Sequence, residues 1–347
     1  MLAFLRGKTV IRNHVGLRKG RLQNGLLSLM TLLMLSLAVG CNQSNTNQGT
    51  ATEQSPTAQS AAQPSVQQPK TKVVATILPM YLFTKAVAGD AADVELLIPP
   101  NVDVHEYQGT PANVQAIAQA DILVKNGLGL EEFLTDIVKN AQNSKLKEIN
   151  ASAAIKPVNE ISPVVKATKS EHSHDHNHAE GNPHVWLDPV LAKQQVTNIR
   201  DGLITADPAN QATYEANAAA YIQELENLNN EFQQTLQKTP NCTFVTFHDA
   251  YPYLAQRYNL KQVAVVEIPE DQLSPADVQN TINAVRKYNV KALFGEPGID
   301  NKLLKSLSQD LKLTLRSLNT LESGEQNPQY YFEAMRSNLQ NLAAACQ

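Results

Sequence analysis

Three histidines that lie far apart in the sequence have the chemistry of a metal site. His105, His184 and His248 stand in the segments Val-His-Glu-Tyr, Asn-Pro-His-Val-Trp and Phe-His-Asp-Ala-Tyr. Their separation is much wider than the ligand spacing of a local zinc finger, so a tertiary fold must bring them together. Three imidazoles with a fourth position left for water or exchange make a tetrahedral site, the geometry that zinc prefers.

The type of ligand indicates zinc. Imidazole nitrogen suits Zn²⁺ and other borderline metals, whereas Mn²⁺ prefers carboxylates and water. Because each imidazole must be neutral to bind, we expect zinc binding to weaken as the pH falls below about 6.5, where free imidazole titrates.

A second group of histidines alternates with polar residues shortly before His184. The run 171–178 contains His172, His174, His176 and His178. Nothing in it can pack into a core, so we predict a mobile loop at residues 171–180. Two interpretations stay open: the loop is an auxiliary, weaker zinc site, or it is a dispensable solvated segment.

Length and charge restrict the function classes. The chain has 347 residues, enough for two domains, and its formal net charge is −4. This mildly acidic balance gives no reason to expect nucleic-acid binding.

The N-terminal segment has the organisation of an export signal, which we assign to residues 1–41. Lysines and arginines precede the apolar stretch 26–38, which is too short to span a bilayer comfortably. The stretch leads into Leu-Ala-Val-Gly-Cys, which resembles a bacterial lipobox and predicts lipidation of Cys41. The alternative is an ordinary signal peptide with an incidental cysteine. Residues 42–70 are almost entirely small or polar, which predicts a disordered tether.

Two cysteines remain in the body of the chain. In an exported protein Cys242 and Cys346 are permitted to form a disulfide. Two free, buried thiols are the alternative that the sequence leaves open.

The body of the chain alternates β-branched runs with helical stretches, a pattern typical of parallel sheets flanked by helices. We predict an α/β fold with two lobes, residues 71–207 and 239–347, each containing a four-stranded, mainly parallel sheet. Residues 208–238 repeat apolar positions on one helical face, and after the initial proline neither Gly nor Pro interrupts them. This segment is therefore predicted to be one long helix that joins the lobes.

This fold would place the three histidines in one cleft. In open α/β sheets, ligands bind beyond the carboxyl ends of the strands. His105 and His248 follow predicted strands, and His184 precedes a predicted helix. The acidic residues that could fix the imidazole tautomers through hydrogen bonds are Glu106, Asp188, Asp249 and Glu296.

These motifs resemble those of the metal-specific solute-binding proteins of ABC importers, and within them the zinc-binding, ZnuA-like branch. The resemblance extends from about residue 72 to residue 347. Its carriers are the segments 104–107, 182–189, 247–251 and 293–297, together with the histidine-rich run. The family implies two lobes, a rigid connecting helix, and a metal held between the lobes by His105, His184 and His248.

Two positions depart from the pattern of the family. Some relatives have Glu where this chain has Val104, immediately before the first histidine. Many relatives supply an aspartate ligand after the last strand of the second lobe, and no aspartate matches that position here. Water or Glu322 would then complete the coordination of the metal.

The resemblance implies a receptor, and we expect no enzyme activity. The expected protein is a monomer, anchored by lipid at the outer face of the plasma membrane, that captures Zn²⁺ and delivers it to the permease subunits of an ABC importer. The alternatives are a binding protein or adhesin for manganese or another divalent metal, and a zinc hydrolase. The sequence has no His-Glu-x-x-His helix and no obvious general base, which disfavours the hydrolase.

Overall fold

Two sheets with the same topology form the framework of the protein. The computed structural model describes residues 69–100, 102–105, 107–159, 181–266, 275–297 and 302–347. The strands are β1 (Thr71–Ala75), β2 (Ala92–Leu96), β3 (Ile122–Lys125), β4 (Lys147–Asn150), β5 (Thr243–Thr246), β6 (Lys261–Ala264), β7 (Ala292–Gly295) and β8 (Thr314–Ser317). The first sheet has the order β2-β1-β3-β4 and the second has the order β6-β5-β7-β8. The second half of the chain therefore repeats the first.

All the strand pairs are parallel, which confirms the α/β fold class and sharpens the expectation of mainly parallel sheets. The helices that flank the sheets are α1 (Leu78–Ala88), α2 (Pro111–Gln119), α3 (Leu134–Ala141), α4 (Pro189–Ala206), α5 (Gln211–Leu236), α6 (Pro252–Arg257), α7 (Pro275–Tyr288), α8 (Lys302–Leu311) and α9 (Tyr330–Cys346). Within the described ranges, none of these helices has the length and apolar content needed to span a membrane.

Helix α3 begins at Leu134, after a stretch of turns that contains Glu131. The Glu131 carboxylate accepts hydrogen bonds from the backbone N–H groups of Asn126 and Gly127, at 2.6 and 3.0 Å. Because this side chain closes the loop after β3, its own segment stays in turns.

Helix α5 is the long helix expected from the sequence, although a 3-10 turn at Pro208–Asn210 comes before it. Its 26 residues give a length of about 39 Å at the usual rise. One face of the helix is buried along its whole length. The buried residues of this face are Tyr214, Ala218, Tyr221, Leu225, Leu228, Phe232 and Leu236. The periodic apolar pattern thus marks the face that packs in the interior.

The largest hydrophobic core extends through both lobes. Phe83 of α1 packs edge-to-face on Tyr221 of α5, with ring centroids 6.0 Å apart, and on Tyr331 of α9, at 5.0 Å. The same core contains Phe244 of β5 and Phe294 of β7 in the second sheet. The two lobes are therefore packed together and are not joined by α5 alone.

A disulfide joins Cys242, just before β5, to Cys346 at the end of α9. The alternative of two free thiols is therefore set aside. The bond fixes the last helix to the first strand of the second sheet.

Several predictions fall outside the described residues. They concern the signal at residues 1–41, residues 42–68 of the tether predicted at 42–70, lipidation of Cys41, the histidine run 171–178, and Glu106.

Candidate metal centre

The structure brings the three isolated histidines together with Glu322. One potential ligand atom from each of His105, His184, His248 and Glu322 lies within 4.8 Å of all the others. His105 Nε2 is 3.2 Å from Glu322 Oε1, His184 Nε2 is 3.4 Å from the same oxygen, and the Nε2 atoms of His184 and His248 are 3.3 Å apart.

These spacings have the size that a tetrahedral metal requires. Zn–N and Zn–O bonds of roughly 2.0–2.1 Å in tetrahedral geometry place neighbouring ligand atoms about 3.3 Å apart. Three of the observed distances, 3.2, 3.3 and 3.4 Å, match that separation. The donor set of three imidazoles and one carboxylate is also one that zinc accepts.

His105 lies in the loop that follows β2, at the carboxyl edge of the first sheet. Its backbone N–H donates to Asp103 Oδ1 at 2.8 Å, which shapes the turn around the histidine. Its side chain is 9% exposed, and that of its neighbour Glu322 is 14% exposed. The site therefore lies just below the surface.

His184 stands immediately before a 3-10 turn, Val185–Leu187, that leads into α4. Trp186 in this turn is fully buried, and its ring centroid is 5.2 Å from that of His184. The indole Nε1 donates to Thr320 O at 2.7 Å, and Tyr331 Oη donates to Trp186 O at 2.8 Å. The only tryptophan of the chain thus connects the His184 turn to the loop that carries Glu322.

His248 follows β5, and no part of it is exposed. Thr246 Oγ1 and Gln262 Nε2 donate to the His248 carbonyl oxygen at 2.9 and 3.3 Å, which holds the backbone in place. The ring Nδ1 hydrogen-bonds the carboxylate of Glu296, the residue directly after β7. Nε2 is therefore the atom left to face the cluster.

Glu322 lies in the loop between β8 and α9. Leu321, just before it, is fully buried and has a φ of 66°, an uncommon conformation for a residue other than glycine. Asn319 Oδ1 accepts from Leu321 N at 2.7 Å, and Asn338 Oδ1 of α9 accepts from Asn319 N at 2.7 Å. These bonds hold the turn that directs the carboxylate toward the histidines.

Burial and charge shift the titration of these side chains in opposite directions. Burial lowers the pKa of His184 to about 4, although Glu322 opposes the shift. Burial also acts to lower the pKa of His248, but the Glu296 carboxylate outweighs it and raises that pKa to about 9. For Glu322, burial acts to raise the pKa, yet the neighbouring imidazoles of His105 and His184 hold it well below its usual range. The carboxylate is therefore anionic at neutral pH.

The acidic residues expected to hydrogen-bond the imidazoles differ in the contacts they make. Glu296 contacts His248 Nδ1, the role expected for it. The expectation for Asp188 is corrected: its carboxylate accepts from Val190 N at 2.9 Å, which caps α4, and from Arg257 Nε at 2.8 Å. Asp249 is buried beside His248, and its tautomer-fixing role stays a prediction.

Sequence reasoning missed the partner of His184. The Nδ1 atom of His184 lies 3.0 Å from Asn182 Oδ1, so an amide occupies the place expected for a carboxylate. The asparagine belongs to the same Asn-Pro-His motif, and its position two residues before the histidine could have suggested a local side-chain hydrogen bond.

The chain matches known proteins over most of its length. The family model described as "ZnuA: Zinc-uptake complex component A periplasmic" matches residues 73–345. The high-affinity zinc uptake system protein ZnuA of Bacillus subtilis (strain 168) is 33% identical over 284 residues, which cover 79% of this chain and 86% of that protein.

Two further comparisons lead to one streptococcal protein. The zinc-binding lipoprotein AdcA of Streptococcus pneumoniae (strain ATCC BAA-255 / R6) is 34% identical over 282 residues, which cover 79% of this chain but only 55% of that protein. The crystal structure of the Zn(II)-bound ZnuA-like domain of Streptococcus pneumoniae AdcA superposes with a TM-score of 0.67 at 32% identity, covering 80% of this chain and 98% of that one. With its two parallel sheets and its cluster of three histidines and a glutamate, the chain belongs to the ZnuA family of periplasmic zinc-uptake components.

Proposed function

We propose that this chain is a receptor that captures Zn²⁺ outside the plasma membrane and delivers it to an ABC permease for import. The observation that carries the proposal is the convergence of three imidazole Nε2 atoms and one carboxylate oxygen, with neighbouring atoms 3.2, 3.3 and 3.4 Å apart. Family membership and the zinc-binding names of the relatives support zinc as the cargo.

The proposed ligands are His105, His184, His248 and, in the fourth position, Glu322. A carboxylate in that position is supported by the two distances from Glu322 Oε1 to imidazole nitrogens and by its anionic state at neutral pH. One negative ligand partly neutralises the Zn²⁺ charge in a buried site, which lowers the cost of removing the ion from water.

A site closed by four protein ligands also fits a carrier better than an enzyme. Catalytic zinc sites keep one position open for water or substrate, whereas closed sites hold the ion. We therefore propose that the protein has no hydrolase activity. Zinc-dependent hydrolysis of an ester or lactam, lost in His184→Ala, would contradict this.

The first test is the metal content of the protein purified without added metal, measured by mass spectrometry, followed by competitive titration with a chromophoric chelator. We expect one tightly bound zinc, weakened strongly in His105→Ala and Glu322→Gln. Glu325→Gln, a change at an exposed carboxylate nearby in the same loop, is the matched control and should bind like the unmodified protein. Zinc binding that is equal in all four proteins would refute the proposed site.

The transport role is tested in cells. Deletion of the gene should slow growth when zinc is scarce, and both added zinc and the unmodified gene should restore growth. The His184→Ala gene should fail to do so. An adhesin that binds metal incidentally would give no zinc-rescued growth defect.

We further propose the arrangement around the folded body. Residues 1–41 are the signal, Cys41 is lipidated, residues 42–70 form the tether, and residues 208–238 link lobes 71–207 and 239–347. The lipoprotein name of one relative supports the anchor. Cys41→Ser should move the protein from the membrane fraction to the soluble fraction. Retention of that variant in the membrane would contradict lipid anchoring.

The histidine run is proposed as a secondary zinc site. Its histidines are separated by single residues, and fixing several of these side chains around one metal costs conformational entropy, so its affinity should be lower than that of the main site. Deletion of residues 171–180 should lower the total number of zinc ions bound and leave one tight site. Loss of the tight site would contradict an auxiliary role.

A further inference from the structure

We propose that Asn182 is a positioning residue of the zinc site. Its side-chain amide fixes the tautomer of His184 and ties His184 to the segment that carries His248. This inference rests on the proposed zinc function and adds a residue that does not itself touch the metal.

The oxygen of the amide determines which nitrogen of His184 carries the proton. The backbone N–H of His184, which can only donate, lies 3.1 Å from Asn182 Oδ1. His184 Nδ1 lies 3.0 Å from the same oxygen, so Nδ1 must carry the hydrogen. A neutral imidazole has a single N–H, and Nε2 therefore keeps its lone pair. Nε2 is the atom that faces His248 and Glu322.

The nitrogen of the same amide reaches the other lobe. Asn182 Nδ2 donates to the carbonyl oxygen of Asp249 at 2.6 Å, and Asp249 directly follows His248. A carbonyl oxygen can only accept, so the amide has one workable orientation: rotating it by half a turn would set N–H against N–H and oxygen against oxygen. The Asn182 side chain thus links the backbone of His184 to the backbone of Asp249, the residue after His248.

The backbone of Asn182 is held as firmly as its side chain. Its N–H donates to Val158 O at 2.9 Å, and its carbonyl oxygen accepts from Tyr253 Oη of α6 at 2.6 Å. The same hydroxyl accepts from Val158 N at 3.0 Å. Gly181 allows this close approach, because at its φ of 86° a Cβ would lie 2.5 Å from the side chain of Asn159. All the polar groups of Asn182 are therefore occupied, and its amide cannot turn freely.

Loss of the amide should weaken zinc binding without removing a ligand. Groups that orient metal-bound histidines typically contribute about 10–100-fold to affinity, and we expect a loss of that size in Asn182→Ala. Asn182→Asp keeps an acceptor for His184 Nδ1 but sets an oxygen against Asp249 O. Its zinc affinity should therefore fall below that of the unmodified protein, but by less than in Asn182→Ala. Both should alter the visible absorption of bound Co²⁺, which reports ligand geometry.

Asn198→Ala is the matched control. Asn198 lies on α4, and its amide donates to Ala151 O at 2.7 Å and to Ala153 O at 3.0 Å. The Asn198→Ala variant also loses side-chain hydrogen bonds to the backbone, but none of the lost bonds involves a proposed ligand. Zinc affinity and the Co²⁺ spectrum should therefore stay unchanged even if thermal stability falls.

The two proposals fail in different ways. If the full-length protein binds zinc and His184→Ala abolishes binding, but Asn182→Ala and Asn182→Asp have the affinity and Co²⁺ spectrum of Asn198→Ala, then the positioning role is refuted alone. If Asn182→Ala does not fold, unchanged zinc affinity in Asn182→Asp refutes the link to the segment that carries His248, because that variant keeps the acceptor for His184 Nδ1 and loses the bond to Asp249 O. If the unmodified protein binds no zinc, the proposed function fails first.

Discussion

His248 is the side chain on which the preference between metals is best tested. Its backbone is fixed after β5, and its ring is fully buried against Glu296. In His248→Glu, a hard anionic oxygen replaces a borderline nitrogen, beside a second carboxylate. We expect zinc binding to weaken at least tenfold, or about 1.4 kcal/mol, while manganese binding weakens less or improves. Competitive chelator titration measures both metals.

A comparison of two alanine variants separates the cluster from the histidine run. His248→Ala removes a proposed ligand of the main site, whereas His172→Ala removes one of several donors in the run. The first should therefore cost much more zinc affinity than the second. Unchanged affinity in His248→Ala would remove this residue from the site and would overturn the interpretation built on three histidines.

The pH dependence of zinc binding should follow the titration of His248. Its pKa is raised to about 9, so the metal-free ring is protonated at neutral pH and must release a proton from Nε2 when zinc binds. The pKa of His184, near 4, keeps that ring neutral throughout this range. Affinity should rise as pH increases toward 9, by about tenfold per pH unit for one released proton, and then level off. Titrations in buffers from pH 6.5 to 9.5 check this.

Glu296→Gln is the control for the origin of this pH dependence. Glutamine still offers an oxygen to His248 Nδ1 but removes the charge that raises its pKa. Burial then lowers the pKa of His248 against only the weaker attraction of Glu322 and Asp249, so the slope between neutral pH and pH 9 should become shallower. An equally steep slope in Glu296→Gln would show that another group releases the proton.

At the scale of elements, the Cys242–Cys346 bond connects the start of β5 with the end of α9 across a sequence separation of 104 residues. A crosslink over so long a segment restricts the unfolded chain strongly. Replacing both cysteines by serine should lower the free energy of unfolding by about 2–4 kcal/mol, measured by urea denaturation of the metal-free protein.

Zinc affinity should not change in this double variant, because the bond lies away from the cluster and the core around α9 remains. The reduced unmodified protein should behave like the variant. If the loss in zinc-binding free energy exceeded the loss in the free energy of unfolding, α9 would hold the Glu322 loop only while the disulfide is intact.

At the scale of the whole molecule, the shared core limits how far the lobes can move. The rings of Phe83, Tyr221 and Tyr331 pack across α1, α5 and α9. Opening the cleft widely would expose these buried rings, and separating packed aromatic side chains is costly. We therefore expect zinc to order the loops around the site without a large rotation of one lobe against the other.

Hydrogen exchange measured with and without zinc tests this expectation. Added protection should concentrate in the segments 102–105, 181–188, 247–249 and 319–322. The slowly exchanging amides of α1, α5 and α9 should all exchange more slowly by one common factor, because bound zinc stabilises the folded state as a whole. Zinc added to His184→Ala should produce little change. Selective exposure of α5 amides in the metal-free protein would contradict a shared, rigid core.

Local patterns and motifs are evident from the amino-acid sequence alone. Alternating β-branched and helical segments specified two parallel sheets, and the buried face of α5 was evident from its apolar spacing. The histidines His105, His184 and His248 could be selected because each stands at the end of an element, where side chains of α/β proteins meet ligands. Periodicity and turn chemistry are properties of neighbouring residues, and a single sequence displays them directly.

The contacts that Glu322 makes with the histidines depend on the tertiary structure. Glu322 is 217 residues from His105, and only the turn held by Asn319 and Asn338 brings its carboxylate into the cluster. The core that unites the lobes likewise follows from the packing of distant elements and was not expected from the sequence. The pH window expected from an ordinary imidazole pKa also changes for His248, because the Glu296 carboxylate outweighs burial and raises that pKa to about 9. Such contacts depend on how elements pack, and that arrangement leaves no periodic signal in the chain.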